Sequence, residues 1–161
     1  MTAAEYNLCV ENFADTIYRF VLKNIKDEEK AKDIIQDTFE KLWIRLNSVS
    51  FEKSKSYLFT AAYHTMIDLI RKEKRMTSFS DVLSANFTHT NQYTDLNEIL
   101  HQAIDNLPES QKAVILLRDY EGYSYEEISQ ITELSEAQVK VYIYRARMFL
   151  KQYIGTMESV L

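Results

Sequence analysis

Residues 107–154 read LPESQKAVILLRDYEGYSYEEISQITELSEAQVKVYIYRARMFLKQYI, and this stretch decides the fold. Pro108 suits the first turn of a helix, where a missing N–H leaves no bond unmade, and Gly122 is predicted to end that helix. Capping boxes that begin at Ser124 and Ser135 then open two further helices. A short helix, a turn of about three residues and a longer second helix are typical of a helix-turn-helix.

The longer helix has two distinct faces when its residues are placed at about 100° intervals. One face is apolar and predicted to pack inward, and it consists of Val139, Ile143, Ala146 and Leu150. The opposite face is small or apolar with cations on its shoulders, and it consists of Ala137, Val141, Tyr144, Met148, Lys140, Arg145, Arg147 and Lys151. This pattern suits the major groove of DNA, although a solvated amphipathic helix would show it too.

The runs LPESQKAVILLRDYEGYSYEEIS and LSEAQVKVYIYRARMFLKQ closely resemble region four of extracytoplasmic-function (ECF, group IV) sigma factors. Many regulators share a helix-turn-helix, but the Leu-Pro, the Glu-Gly-x-Ser-Tyr-Glu-Glu-Ile run and the Arg-Ala-Arg together are more specific. The resemblance implies that this region reads the −35 element of a promoter. It implies DNA contacts from Glu136, Ala137, Gln138, Lys140, Val141, Tyr144, Arg145 and Arg147.

The length of 161 residues suits one domain or two small ones. The content of only two glycines and one proline favours an all-α protein over a β-rich fold with many tight turns. The single cysteine, Cys9, excludes an internal disulfide and fits a reducing cytosol, and we expect it to be buried. The sequence has neither an apolar run of membrane-spanning length nor a signal-like N-terminus, which predicts a cytoplasmic protein without direct membrane insertion. The net charge of −5 argues against indiscriminate nucleic-acid binding, but cations concentrate at 71–75 and 140–151.

Two amphipathic helices are predicted in the first fifty residues. The first covers residues 2–25, with an apolar stripe of Leu8, Phe13, Ile17, Phe20 and Val21. The second follows the acidic start at 27–29 and has a buried face of Ile34, Ile35, Thr38, Phe39, Leu42, Trp43 and Leu46. A different face of this second helix carries acids, which in isolation is also what an ordinary solvated face would show.

The stretch AKDIIQDTFEKLWIRL of that second helix resembles region two of the same family. The resemblance implies that its polar face docks on the clamp helices of the RNA polymerase β′ subunit, with the acids complementing a basic partner. The implied contacts are Asp33, Gln36, Asp37, Glu40, Leu42 and Trp43. Leu42 and Trp43 are open to either role, as core residues, as the edge of the interface, or as both.

Residues 47–56 form a polar loop, and residues 57–75 a third helix that ends in RKEKR. The helix resembles the family's promoter-melting and −10-reading segment. The resemblance implies that the loop captures a flipped base with Phe51, Lys53 and Lys55, although a solvated loop would look similar. It implies that Asp68 meets a base edge, and that phosphates are held by Arg71, Lys72, Lys74 and Arg75. His64 stands where Asn is commoner, so we assign it no base contact, and no second ligand at a matching interval supports a metal role.

Residues 76–94 change abruptly to Ser, Thr and Asn with scattered apolar residues. A connection of this length is too long for one compact domain, which predicts a flexible linker between a first domain at 1–75 and a second at 95–161. In the family this linker threads through the polymerase towards the active-site and RNA-exit channels. Asp95 is predicted to cap a further helix, whose apolar residues are Leu96, Ile99, Leu100, Ala103 and Ile104.

Three residues of the second domain depart from the family pattern. Glu133 stands in the interhelical turn where Gly is usual, which predicts a different backbone or some strain. Val141 replaces a common Ser and Tyr142 a common Arg. These two substitutions predict an unusual −35 preference with more apolar contact, for example to thymine methyl groups.

The sequence therefore indicates an all-α, two-domain ECF-type sigma factor. The resemblance implies binding to core RNA polymerase, at the β′ clamp helices and the β flap, and to promoter DNA. It also implies a cognate anti-sigma factor linked to the membrane. Catalytic motifs, metal-ligand clusters and cofactor-binding motifs are lacking, so we expect no enzyme activity and no cofactor. The alternatives are a stand-alone helix-turn-helix regulator that binds DNA as a dimer, and a helical adaptor that binds only protein.

Overall fold

The computed structural model describes the backbone of residues 1–77 and 96–160 and the side chains of residues 1–76 and 96–156. Within these ranges the chain is helical and contains no β-strand, which confirms the predicted all-α class. The helices are α1 (Ala3–Ile25), α2 (Glu28–Ile44), α3 (Ser54–Thr77), α4 (Leu96–Asp105), α5 (Glu109–Ile115), α6 (Tyr125–Thr132) and α7 (Glu136–Val160). A 3₁₀ turn at Phe51–Lys53 leads into α3, and a π-helical turn at Leu116–Tyr120 extends α5.

The first domain is a bundle of α1, α2 and α3, each packed against the other two. Short polar side chains fix where the first two helices begin. The Thr2 hydroxyl accepts the N–H of Glu5, and the Asp27 carboxylate accepts the N–H of Lys30. The largest fully buried side chains of this domain are Ile17, Phe20, Val21, Leu42, Leu58, Phe59 and Met66. The burial of each side chain contributes roughly 1.5–3 kcal/mol to folding. Together these side chains hold α3 against α2.

The second domain is arranged around α7, against which α4, α5 and α6 all pack. Gly122 follows the π-helical turn and has φ +75°, so the chain leaves the helix through a left-handed residue. This agrees with the prediction that Gly122 ends the helix. Pro108 was expected inside the first turn of α5 but lies one position earlier, as the N-cap residue. Its ψ of 149° is extended, so the helical turn begins only at Glu109.

Four other details of the predicted helices are wrong. Leu8 is 45% exposed, and Cys9 takes the buried position instead, because the inward face of α1 runs through 9, 13, 17, 20 and 21. Leu96, the first residue of α4, is 58% exposed. α3 begins at Ser54 rather than at 57, because the Ser54 hydroxyl donates to the Phe51 carbonyl at 2.6 Å and joins the 3₁₀ turn to the helix. α3 also ends at Thr77, two residues later than expected.

The predicted linker lies largely outside the described residues. Its first two residues, Met76 and Thr77, continue α3, and the remainder of 76–94 is not described, nor is the predicted helix cap at Asp95.

The two domains pack against each other through a continuous apolar core. A chain of aromatic rings crosses from one domain to the other. Phe20 packs on Phe59 with 5.8 Å between ring centroids, and Phe59 packs edge-on against Tyr123 of the second domain at 5.2 Å. Aromatic rings at these separations stabilise the contact by more than the free energy of burying their apolar surface alone. The contact therefore brings α6 onto α3, the helix predicted to read the −10 element.

Candidate nucleic-acid interface

The helix-turn-helix is formed by α6, a turn at 133–135, and α7. Both predicted capping boxes are present. Glu127 N–H donates to the Ser124 hydroxyl at 3.1 Å, and Ser124 N–H donates to the Glu127 carboxylate at 3.0 Å. The box that opens α7 has the same reciprocal bonds, at 3.1 and 3.0 Å. These caps fix the angle at which α7 leaves the turn, so its outward face has a defined direction.

The outward face of α7 contains every residue predicted to contact the −35 element. All of them are exposed: Glu136, Ala137, Gln138, Lys140, Val141, Tyr144, Arg145 and Arg147. Val139, Ile143 and Ala146 are buried on the opposite side, as the periodicity predicts. The exposed face is large and apolar at its centre, since Val141, Tyr144 and Met148 all lie there. This surface is convex, with cations at its edges, and matches the shape that enters a major groove.

Two of the cations on α7 are held in place by neighbours within the domain. An Arg147 guanidinium nitrogen lies 2.8 Å from an Asp119 carboxylate oxygen, and this hydrogen bond raises the pKa of Arg147 above its usual range. The Lys140 ammonium lies 5.6 Å from the centroid of the Tyr125 ring. Both side chains are therefore oriented before any DNA arrives, which lowers the entropy lost when they bind phosphates.

The residues that depart from the family pattern have distinct environments. Glu133 has φ +62°, so the interhelical turn takes the left-handed backbone that favours glycine, at a cost of roughly 1 kcal/mol for a residue with a Cβ. Tyr142 is half-buried and packs against the core, whereas Val141 is exposed. The effect of either substitution on −35 preference stays a prediction.

The predicted −10 residues are divided between a loop and α3. Phe51 is half-buried against the core, while Lys53 and Lys55 are exposed. The Lys55 ammonium does not point away from the molecule, because it lies 5.0 Å from the centroid of the Tyr123 ring in the second domain. Of these three residues, Lys55 therefore contacts the second domain, whereas Lys53 stays exposed to solvent.

The polar strip of α3 is exposed and basic. Asp68, Arg71, Lys74 and Arg75 line one shallow depression, and Lys72 is exposed beside it. Lys74 pairs with Glu109 of the second domain. Further up the same helix, His64 faces Glu133, with 3.7 Å between Nε2 and the nearer carboxylate oxygen. The structure thus brings the predicted strand-binding residues together and sets one acid of the second domain, Glu109, against Lys74.

The acidic face of α2 is exposed as predicted. Asp33, Gln36 and Glu40 face solvent, and Asp37 is half-buried with its carboxylate 3.0 Å from the Lys41 ammonium. The two open roles are now separated. Leu42 is fully buried and belongs to the core beneath this face, whereas Trp43 is 52% exposed at its edge, 5.0 Å from the Tyr6 ring. Ile44, at 81% exposure, extends this apolar edge and was missed, because one exposed Ile beside a long apolar stripe gives no periodic signal.

Sequence reasoning also missed a buried lysine at the contact between the domains. Lys112 is only 6% exposed, and its ammonium donates to the Asn24 carbonyl and to an Asp105 carboxylate oxygen, both at 3.1 Å. Burial lowers the pKa of Lys112, and the Asp105 carboxylate offsets part of that effect. Asn24 lies near the C-terminus of α1, where the helix dipole favours a cation. A lysine in this sequence context carries no pattern that would predict burial.

Among the described residues, no helix is long and apolar enough to cross a membrane, and no group of three or more His, Cys, Asp or Glu side chains could hold a metal ion. Cys9 is free and buried, as expected.

Family models match both halves of the chain. Residues 9–76 match Sigma-70 region 2, and residues 97–150 match Sigma-70, region 4. The ECF RNA polymerase sigma factor SigM of Bacillus subtilis is 31% identical, over 86% of this chain and 88% of SigM. The RNA polymerase sigma factor SigV of the same organism is 30% identical, over 89% of this chain and 87% of SigV. The sigma factor RpoE of Bartonella quintana, solved with the anti-sigma factor NepR, aligns with a TM-score of 0.74 and 25% identity, covering 93% of this chain and 96% of RpoE.

The matches to region 2 and region 4, in this order along the chain, define an RNA polymerase sigma factor of the sigma-70 type. Sigma factors are binding proteins rather than enzymes. The identity to SigM and SigV extends over nearly the whole chain, and the protein belongs to the ECF group of this family.

Proposed function

We propose that this sigma factor binds core RNA polymerase through the exposed acidic face of α2 and directs the polymerase to promoters by reading the −35 element with α7 and the −10 element with α3. The observation that carries the proposal is the occurrence of both sigma regions, in order, with an exposed contact face on each. We divide the chain into domain 1–75, linker 76–94 and domain 95–161. A stand-alone helix-turn-helix regulator would leave the region 2 bundle without a role.

The division of labour follows from the chemistry of each face. The acids Asp33, Asp37 and Glu40 on α2 complement a basic partner such as the β′ clamp helices, with Trp43 as an apolar anchor at the edge. The second domain is proposed to meet the β flap. The cations of α3 hold the phosphates of the opened −10 strand, and those of α7 hold duplex phosphates while Val141 and Tyr144 meet base edges.

The protein supplies binding and strand separation, while the polymerase carries out the chemistry, so we propose that the chain itself has no catalytic activity. We place it in the cytoplasm, where the polymerase works. The RpoE structure contains an anti-sigma factor, and we propose a cognate anti-sigma factor for this chain as well, which would compete with the polymerase for the first domain.

The decisive experiment measures binding to purified bacterial core polymerase. We expect tight binding by the wild type and a loss of at least tenfold in affinity for the Asp33→Lys, Asp37→Lys double variant. The matched control is Glu11→Lys, Asp15→Lys, which reverses two exposed acids at the same i, i+4 spacing on α1. An equal loss in both double variants would show that only net charge matters. A folded wild-type protein that fails to bind would overturn the proposal.

A further inference from the structure

The centre of the outward face of α7 is apolar in a way that the fold does not require. Val141, Tyr144 and Met148 lie on one side of the helix and are 43%, 65% and 39% exposed. None of the three belongs to the apolar core that the described residues form. Exposed apolar surface is unfavourable in water, so this face is suited to a partner that covers it.

The charges around these side chains match a duplex nucleic acid. Lys140, Arg145 and Arg147 flank the apolar centre on the exposed face. Arg147 is oriented by Asp119, with 2.8 Å between nitrogen and oxygen, and Lys140 lies beside the Tyr125 ring. Cations on both sides of an apolar strip fit the phosphates along a major groove, and the strip between them then faces the base edges.

Two residues of this helix depart from the family pattern, and only Val141 lies where it can meet DNA. Tyr142 is half-buried and packs against the core. Val141 lies in the second turn of α7, and recognition helices contact base edges through their N-terminal residues. Its side chain ends in two methyl groups, which neither donate nor accept a hydrogen bond, whereas the serine that is common at this position does both.

The chemistry of base edges gives Val141 one target. In the major groove, the C5-methyl of thymine is the apolar group on display, beside N–H donors and nitrogen or oxygen acceptors. The modified base 5-methylcytosine carries the same methyl group on the same ring carbon. A valine contacts this methyl without testing the neighbouring ring substituent, which is a carbonyl oxygen in thymine and an amino group in cytosine.

We propose that Val141 makes α7 a reader of the C5-methyl group at one position of the −35 element, so that thymine and 5-methylcytosine are both accepted there and unmethylated cytosine is disfavoured. The inference rests on the proposed reading of the −35 element by α7, and it adds the chemical group that is read. A promoter with cytosine at this position is then recognised better once that base is methylated.

The test uses the holoenzyme and a −35 duplex selected from a random DNA library. Each thymine of the duplex is replaced in turn by uracil, which lacks only the methyl group. We expect the wild type to lose about fourfold in affinity at one thymine, the effect of returning one buried methyl group to water. Val141→Ser should abolish this loss, and Val141→Ile, which keeps the apolar contact, should retain it. An equal loss in the wild type and Val141→Ser, or no loss at any thymine, would refute the proposal.

A second comparison extends the test to cytosine. Two duplexes carry cytosine or 5-methylcytosine at the position that the uracil series identifies, so they differ only by the methyl group. The wild type should bind the methylated duplex about fourfold more tightly. Val141→Ser should bind the two duplexes equally. A preference that persists in Val141→Ser but disappears in Tyr144→Ser would assign the methyl contact to Tyr144 and contradict the role of Val141.

The selected, unmodified duplex distinguishes failure of this inference from failure of the proposed function. If the holoenzyme binds it selectively but shows no methyl effect, only the role of Val141 is refuted, and the reading of the −35 element by α7 still stands. If the holoenzyme selects no −35 sequence at all, the proposed function is refuted together with this inference.

Discussion

The two helices proposed to read DNA, α7 and α3, differ in what surrounds them. The outward face of α7 is exposed from Glu136 to Met148, and its neighbours only orient it, as Asp119 does for Arg147. The polar strip of α3 faces acids of the other domain, at Glu109 and Glu133. Helical periodicity specifies which side of a helix is polar, whereas the packing of the two domains determines which charges that side faces.

The faces also differ in chemistry. The centre of the α7 face is apolar, through Val141 and Tyr144, while the α3 strip is dominated by charge. An apolar centre with basic edges suits the readout of base edges in a duplex, and a charged strip suits the backbone of a single strand.

The largest expected effect tests the two sides of α7 against each other. Ile143→Ala removes a fully buried side chain and should lower the free energy of unfolding by about 2–5 kcal/mol. Val141→Ala, on the exposed side of the same helix, should change it by less than about 0.5 kcal/mol. Urea denaturation followed by circular dichroism measures both. Similar losses in the two variants would mean that the outward face is not free.

The next effect compares α7 with α3 in the holoenzyme, on promoter DNA selected from a random library. Arg145→Glu and Arg71→Glu should each weaken binding about tenfold and reduce the slope of affinity against salt by about one phosphate contact. On a duplex that contains only the upstream half of the selected promoter, Arg145→Glu alone should have an effect. Sensitivity of that duplex to Arg71→Glu would contradict the assignment of α3 to the −10 strand.

A smaller effect concerns the two glycines, which flank the recognition unit in opposite backbone states. Gly122 has φ +75° and open space around it, so Gly122→Ala should destabilise the protein by about 1 kcal/mol through backbone strain alone. Gly155 lies within α7 and has open space where an added Cβ would project, so Gly155→Ala should stabilise the protein by about 0.5–1 kcal/mol. Thermal unfolding distinguishes the signs, and equal signs would rule out the left-handed turn after α5.

The smallest effect is a pH dependence at the contact between the domains. The pKa of Glu109 is lowered in the folded protein by its hydrogen bond from Lys74. The pairing therefore contributes its full stabilisation of the fold above the ordinary pKa of 4.5, and this stabilisation is lost as the pH falls through the lowered pKa. The free energy of unfolding of the wild type should therefore exceed that of Glu109→Gln at pH 7, and the difference should shrink below about pH 4. Urea titrations at both values test this. A gap that widens in acid would show that the Lys74 pair does not form.

The fold and the helix-turn-helix could be predicted because they depend on local signals. The capping boxes at Ser124 and Ser135 fix helix starts through bonds between residues three apart, and the alternation of Val139, Ile143 and Ala146 with exposed residues fixes which side is buried. Both kinds of signal lie within a few residues of sequence, so they remain visible without any knowledge of the partner helix.

The contact between the domains could not be predicted for the opposite reason. Lys112 and Asn24 are 88 residues apart, and His64 and Glu133 carry no pattern that relates them. The same holds for Leu8, where the spacing allowed either Leu8 or Cys9 to point inward and only the packing of α1 on its neighbours decides. The roles of individual residues towards DNA and polymerase stay predictions for the experiments above.

Trp43 is the single tryptophan of the chain, and it lies half-exposed at the edge of the α2 face with Tyr6 against its ring. The chain therefore has a built-in optical probe on the surface proposed to meet the polymerase. Docking of any partner there would remove water from the indole and shift its emission to shorter wavelength, whereas events at α7 would leave the spectrum unchanged. Because the signal comes from one tryptophan, the binding of any partner that lacks tryptophan could be measured on the unlabelled, unmodified protein.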